Sequence, residues 1–163
     1  MVQCKSPYIA TPEKGGRLTV SDHDDKVSGY QLGVQIGHIL RKASQRHSII
    51  FSDKMLAELT PTRFAAMVIL FQEHSLSQNE LGRYTAMDAA TIKGVVDRLK
   101  ARKLVSVDPD PDDGRRNLIQ LTDQGADMVV RAIPLGVEIS TKTLAPLNGA
   151  EQRKLTELLN KII

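Results

Sequence analysis

The sequence is poor in several residue types, and each shortage speaks against a class of protein. Cys4 is the only cysteine among 163 residues, so an intrachain disulfide framework is impossible and a cysteine-based metal site within one chain is not expected. Tryptophan is absent and aromatic residues make up only 4%, which predicts a mostly aliphatic core. No apolar run approaches the roughly 18 residues of a membrane span, and the N-terminus lacks a signal-peptide core. These absences predict a cytoplasmic protein without a membrane segment.

Motifs of the common enzyme classes are also missing. The chain has no H-E-x-x-H, no glycine-rich phosphate loop and no persuasive Cys/His or Ser/His/Asp set. His47 and His74 have no convincing partners for a metal ion. The sequence therefore predicts a protein that is not an enzyme and that holds neither a cofactor nor a metal.

Composition and charge fit one soluble domain with an anionic partner. Hydrophobic residues make up 41% and charged residues 25%, which is ordinary for a globular protein. The net charge is +3 and the isoelectric point about 9.1. Residues 77–103 hold six basic and three acidic side chains, a surplus that equals the net charge of the whole chain. This concentration favours nucleic acid as the partner, although an ordinary solvated helix face would also be basic.

Residues 77–122 have the order of a winged helix-turn-helix. Ser77 and Glu80 form an S-x-x-E capping box that opens a short helix, and Asp88 can cap the next one. A strand, a hairpin tip rich in Pro, Asp and Gly over 108–117, and a return strand follow. The predicted fold class is mostly α with a small β-wing, in which one helix enters a major groove and the wing flanks it.

Small and basic side chains are predicted to face DNA, because bulk at the start of a recognition helix would hold it away from the bases. The predicted DNA contacts are Ser77, Gln78, Ala89, Ala90, Thr91, Lys93, Arg98, Asp113, Arg115 and Arg116. In the wing, Asp113 is expected to hold the Arg115 guanidinium, and one arginine to enter the minor groove. The alternatives are plain helix formers at Ala89 and Ala90, and a solvated, charge-balanced turn in the wing.

The remaining chain is predicted to be an arm and a helical scaffold. Residues 1–27 form an N-terminal arm, and 28–163 form the domain, with a winged helix-turn-helix at about 58–122 and dimerisation helices at about 28–52 and 123–163. Thr60, Thr122 and Asn148 are predicted helix caps. Pro134 is expected to bend or interrupt the helix over 123–144. The expected buried stripe of the helix after Thr60 comprises Phe64, Met67, Val68 and Phe71.

The wing and recognition segments resemble those of the MarR family of bacterial transcription regulators. The resemblance is carried by Asp113-Gly114-Arg115 followed by Leu118, Leu121-Thr122 and Gly125, and it extends over about 30–162. The stretches LTPTRFAAMVIL and SQNELGRYTAMDAATIKGVVDRL resemble one subgroup more closely, the repressors of nicotinate catabolism that respond to hydroxylated nicotinate.

The resemblance implies a homodimeric repressor on a pseudo-palindromic double-stranded DNA operator, released by a small aromatic acid. An aromatic carboxylate needs a cation or N–H donors together with apolar walls, and the candidates are His38, Arg41, Arg63, Phe64 and Met67. Each of these basic residues could instead be structural. Three alternatives stay open: a monomer with its terminal helices folded back, a winged-helix module that binds protein rather than DNA, and a response to another aromatic acid or its CoA thioester.

Overall fold

A computed structural model describes residues 30–163; the predicted arm and Cys4 lie outside these residues. The chain divides into two compact units, residues 1–43 and 44–163. The described part of the first unit holds a short 3-10 helix, Leu32–Val34, and the beginning of α1, Ile36–Lys54. The periodic apolar side chains here are exposed, among them Leu32, Ile36, Ile39 and Leu40. The helix predicted at about 28–52 is therefore present, but it begins later, at Ile36.

The second unit contains the other helices and a small sheet. Its elements are, in chain order, α2 (Pro61–Glu73), β1 (Ser75–Ser77), α3 (Gln78–Tyr84), α4 (Ala89–Ala101), β2 (Val105–Pro109), β3 (Asn117–Leu121), α5 (Asp123–Leu144) and α6 (Gly149–Asn160). This mostly helical arrangement with a β-hairpin after two short helices is the fold class that the sequence predicts. Among residues 30–163, no helix combines the length and apolarity needed to cross a membrane.

Local caps start most of these helices where the sequence predicts. The hydroxyl oxygens of Thr60 and Thr122 accept hydrogen bonds from Arg63 N and Gly125 N, at 3.3 and 3.1 Å. The Asn148 side chain accepts from the Ala150 and Glu151 amides, both at 3.0 Å. Such caps use residues two or three positions apart, so they form wherever the right side chain precedes a helical pattern.

The sheet is antiparallel in the order β1-β3-β2. β2 and β3 form the predicted wing hairpin, with Val107 opposite Ile119. β1 was not predicted: it has only three residues, and Leu76 pairs with Ile119 more than 40 positions away. This strand fastens the base of the wing to the start of α3.

The core of the second unit is aliphatic. Fully buried side chains from α2, α3, α4, β3 and α5 form one cluster, which includes Met67, Leu70, Leu81, Ile92, Leu99, Ile119 and Val129. The prediction for Phe71 is wrong, since its side chain is 38% exposed and Ala66 and Leu70 occupy the buried stripe instead. α5 continues through Pro134 without interruption. Buried residues before the proline (Val129, Ala132) and after it (Ile139) pack both parts of that helix onto the core.

Candidate DNA-binding surface and effector groove

The outer face of α4 is free of covering chain within residues 30–163. Ala89, Ala90, Thr91 and Lys93 are exposed, whereas Ile92, Val95, Val96 and Leu99 anchor the opposite face in the core. The small side chains stand at the N-terminal end of the helix, where the free N–H groups and the helix dipole favour an anion. The geometry therefore suits a helix that presents its N-terminal end to duplex DNA.

Asp88 secures that N-terminal end. One carboxylate oxygen accepts from Thr91 N at 2.7 Å, and the other accepts from the Thr91 hydroxyl at 3.0 Å. These two bonds hold the pKa of the Asp88 carboxyl below its ordinary value. Thr91 is thus fixed in one orientation, with its hydroxyl oxygen still able to accept a hydrogen bond.

Two exposed cations follow along α4. The Lys93 ammonium lies 2.7 Å from the Asp97 carboxylate, and both side chains are more than 60% exposed. An exposed pair of this kind contributes only about 0.2–1 kcal/mol, so a phosphate can compete for the lysine. Arg98, one position beyond Asp97, is also exposed.

The start of α3 carries a complete capping box. The Ser77 hydroxyl donates to Glu80 Oε2 at 2.5 Å, and Ser77 N donates to the same oxygen at 2.9 Å. The Ser77 hydroxyl, its backbone N–H and the nearby Arg116 guanidinium hold the pKa of Glu80 below its ordinary value. Ser77, one of the predicted DNA contacts, therefore has its side chain bonded within its own helix, and the adjoining Gln78 is half-buried.

Hydrogen bonds within the wing tip use several of its carboxylates. Asp110 Oδ1 accepts from Asp112 N at 2.9 Å, and Asp113 Oδ1 accepts from Arg115 N at 3.0 Å. The expected bond between Asp113 and the Arg115 guanidinium is thus corrected: the carboxylate holds the backbone amide, because this two-residue step closes a local turn. The carboxylates of Asp110 and Asp113 therefore bind backbone amides of the loop and not the Arg115 guanidinium.

The two wing arginines have different surroundings. Arg116 Nη2 lies 3.1 Å from Glu80 Oε2, and its Nε lies 3.9 Å from Asp110 Oδ2. Arg115 is exposed, and no carboxylate of residues 30–163 lies within ion-pair distance of its guanidinium. Arg115 is consequently the wing arginine that is available to an outside partner.

A groove of about 650 Å³ separates α3, α4 and the wing. Val96, Val107 and Ile119 form its apolar part, and its cations are Arg83, Lys100, Arg115 and Arg116. Arg83 and Lys100 were not among the predicted DNA contacts. The sequence indicated them only through the surplus of basic residues over 77–103. That surplus does not show which of the basic side chains line the same groove.

The predicted effector residues have dissimilar positions. His38 and Arg41 contact each other in the first unit, with Arg41 Nη2 3.4 Å from His38 Nδ1. In the second unit, Arg63 Nη1 donates to the Glu58 carbonyl at 3.0 Å, and Met67 is fully buried in the core. Phe64 is half-buried and lines a groove. Within the second unit, Phe64 is therefore the predicted residue best placed to touch a ligand.

That second groove measures about 490 Å³ and is largely apolar. Its walls come from α2, α5 and α6, and they include Phe64, Val68, Ile133, Gly136, Val137 and Leu144, with Ser140, Thr141, Gln72 and Gln152 as polar members. None of these lining residues is charged. The α5 residues were missed, although Ile133, Val137 and Leu144 recur at helical spacing around a glycine. No cluster of three potential metal ligands occurs in the part of the chain that the structure describes.

The exposed helix α4, the preceding α3 and the adjacent wing place the chain in the class of winged helix-turn-helix transcription regulators. A model of the MarR family matches residues 58–116. The HTH-type transcriptional repressor NicR of Pseudomonas putida is 42% identical over 135 residues, which are 82% of this chain and 85% of NicR. The chain therefore belongs to the MarR family and is a transcriptional regulator of that family.

Two solved structures agree with this assignment. A probable transcriptional regulator from Pseudomonas aeruginosa is 47% identical and superposes with a TM-score of 0.80, covering 82% of this chain and all of the other. BpsR from Bordetella bronchiseptica, whose DNA binding is regulated by 6-hydroxynicotinic acid, is 38% identical with a TM-score of 0.79, over 82% of this chain and 96% of BpsR.

Proposed function

We propose that the protein is a repressor that binds a specific DNA operator and releases it when a small aromatic acid binds. The observation that carries the DNA-binding part is an α4 face that no other part of residues 30–163 covers, beside a wing arginine, Arg115, that has no ion-pair partner within those residues. The small side chains of α4 suit the major groove, and a free guanidinium suits a narrow minor groove. The relative NicR is a transcriptional repressor, which supports repression and not activation as the proposed mode of regulation.

The proposal is tested first at Arg115. A duplex selected by the wild-type protein from a random-sequence pool serves as the operator, and affinity is measured by fluorescence anisotropy at several salt concentrations. Arg115→Ala is expected to weaken binding about 5- to 150-fold, equivalent to about 1–3 kcal/mol, and to lower the salt slope by about 1.

Arg131→Ala is the matched control, because Arg131 is exposed on α5 and the only hydrogen bond of its side chain within residues 30–163 is to the Asp127 carbonyl, at 3.4 Å. The control should bind like the wild type. Wild-type affinity in Arg115→Ala would remove the wing from the proposed interface.

A homodimer is part of this proposal. Leu155, Leu158, Leu159 and Ile162, on and just after α6, are 37–65% exposed, and Ile36, Ile39 and Leu40 at the start of α1 are 40–64% exposed. Apolar side chains of this size favour burial against a partner. A second copy of the chain would also supply the second recognition helix that a two-fold operator requires. Sedimentation equilibrium should therefore give twice the chain mass of 18.0 kDa, and a monomer would contradict this part of the proposal.

The groove beside Phe64 is the proposed place for the aromatic part of the effector. Its volume accommodates a single substituted ring, and its walls are mostly apolar. BpsR responds to 6-hydroxynicotinic acid, so this compound is the first probe. It should raise the melting temperature of the free protein and dissociate the selected duplex. His38, Arg41 and Arg63 remain the predicted cations for the carboxylate, and single alanine variants identify which one the probe requires.

A further inference from the structure

Glu80 joins the wing to the helix-turn-helix through one oxygen atom. Its Oε2 accepts hydrogen bonds from the Ser77 backbone N–H, from the Ser77 hydroxyl and from Arg116 Nη2. The last of these bonds spans 36 positions of sequence. The carboxylate that caps α3 therefore also binds the arginine at the end of the wing tip.

Arg116 makes a second link, to the other side of the hairpin. Its Nε lies 3.9 Å from the carboxylate of Asp110, whose side chain is only 13% exposed. Its backbone also closes the tip, since Asp110 N donates to Arg116 O at 2.9 Å and Arg116 N donates to Asp113 O at 2.9 Å. Arg116 thus connects α3 with both ends of the wing tip.

Charge balance argues that Arg116 keeps these partners when DNA is bound. If its guanidinium moved to a phosphate, two carboxylates would be left unpaired beside the duplex, Glu80 and Asp110. Arg115 has no such partner within residues 30–163 and can meet DNA without breaking an ion pair. Neighbouring arginines in the wing can therefore have separate tasks.

We propose that Arg116 is a positioning residue, which fixes the wing against α3 through Glu80 and Asp110 so that Arg115 is held ready for DNA. The proposal rests on the DNA-binding function proposed above and assigns Arg116 a role different from direct DNA contact. The wing loop is already ordered by the links of Arg116, so it loses less conformational freedom when the Arg115 that it carries binds DNA.

Whether Glu80→Gln strengthens or weakens DNA binding distinguishes a positioning role of Arg116 from a direct DNA contact. Glu80→Gln keeps a capping-box residue at the third position of α3 and removes the negative charge. If Arg116 contacts a phosphate directly, the loss of a competing carboxylate strengthens binding to the selected duplex. If Arg116 positions the wing, Glu80→Gln weakens that binding.

Affinity and its salt dependence are measured for Glu80→Gln, Arg116→Ala and the double variant. We expect each single variant to bind roughly threefold to fivefold more weakly, because a half-exposed ion pair has a modest effect. The double variant should be no weaker than Arg116→Ala alone, and the salt slope should stay at its wild-type value. A slope lowered by about 1 in Arg116→Ala, or stronger binding by Glu80→Gln, would overturn the proposal in favour of a phosphate contact.

Hydrogen exchange of the free protein supplies a readout that needs no DNA. The amides of Asp110 and Arg116 should exchange faster in both single variants, because the tip opens more often when its link to α3 is lost. Glu157→Gln is the matched control: it removes an exposed carboxylate on α6 that pairs with Lys154 and with Lys161 just after that helix. The control should leave wing exchange unchanged, and unchanged exchange in Glu80→Gln and Arg116→Ala would overturn the proposal.

DNA affinity and hydrogen exchange of the wing test the DNA-binding function and the positioning role of Arg116 separately. If the wild-type protein selects no duplex, DNA binding fails, while wing exchange still decides whether Arg116 positions the wing. If the wild type binds DNA and neither variant changes affinity or exchange, only the positioning role fails. Circular dichroism melting of every variant confirms that the fold is retained.

Discussion

Gly136→Ala is the sharpest test of the effector groove, because the structure indicates which atom must move. Gly136 lies inside α5 and lines the groove together with Phe64. A Cβ added at Gly136 would lie 2.8 Å from Phe64 Cζ and 3.1 Å from Phe64 Cε1. Ordinary contact begins at 3.4 Å, so the ring must retreat by about 0.6 Å or tilt. Phe64 also packs on Phe51, with ring centroids 6.0 Å apart, which limits its freedom to move.

Gly136→Ala is expected to change both the free energy of unfolding and the affinity for the ligand. Alanine in place of glycine in a helix interior contributes about 1 kcal/mol, whereas overpacking costs about 1–3 kcal/mol. We therefore expect a destabilisation of at most about 2 kcal/mol. The added methyl and the displaced ring both change a groove of about 490 Å³. One methylene in an apolar pocket changes affinity about 10- to 200-fold, and a loss within this range is expected for 6-hydroxynicotinic acid.

Calorimetric titration of 6-hydroxynicotinic acid into wild type and Gly136→Ala measures this loss, and urea unfolding measures stability. Gly149→Ala is the matched control at the start of α6, where the added Cβ would meet Arg153 Nη1 at 3.6 Å and nothing closer in the described part of the chain. The control should bind the probe like the wild type. Undiminished affinity in a folded Gly136→Ala protein would refute the placement of the effector beside Phe64.

Three further substitutions or conditions probe the scaffold. Gly125→Ala should lower the free energy of unfolding by about 3 kcal/mol in urea titration, because its Cβ would collide with the Leu104 carbonyl oxygen of the backbone. Ala86→Gly should raise that free energy by about 0.5–1 kcal/mol, since Ala86 has φ of 52° in the turn before α4; a lower melting temperature would contradict this reasoning. Glu80 and Asp88 have pKa values below their ordinary 4.5 and 3.8, so they stabilise the fold fully above those values. That contribution should disappear as pH falls through their lower folded pKa values, and Glu80→Gln should reduce the acid sensitivity of urea unfolding.

Helix starts were predictable from the sequence because each depends on neighbours along the chain. The capping box of Ser77 and Glu80 and the cap at Asp88 are both present in the structure. α3 and α5 begin directly after their caps, at Gln78 and Asp123 respectively. A side chain that bonds an amide three positions later requires no information about the rest of the fold.

Contacts between segments that are distant in sequence could not be predicted from local sequence patterns. β1 is too short to show alternation, and it exists because β3 offers an unpaired edge. Phe71 and Leu70 are adjacent, and only the direction in which α2 packs decides that Leu70 is buried. The walls of the effector groove come from three helices, so periodicity in one helix could not reveal them.

The sequence alone determined the order of the helices and of the two wing strands, the small-residue face of α4 and the basic surplus around it, because periodicity, capping and charge are properties of short segments. The tertiary structure alone decided which wing arginine is free: Glu80 reaches Arg116 across 36 positions and leaves Arg115 without a carboxylate partner within residues 30–163. Two adjacent arginines have equivalent local sequence, and their surroundings differ only when distant parts of the chain meet.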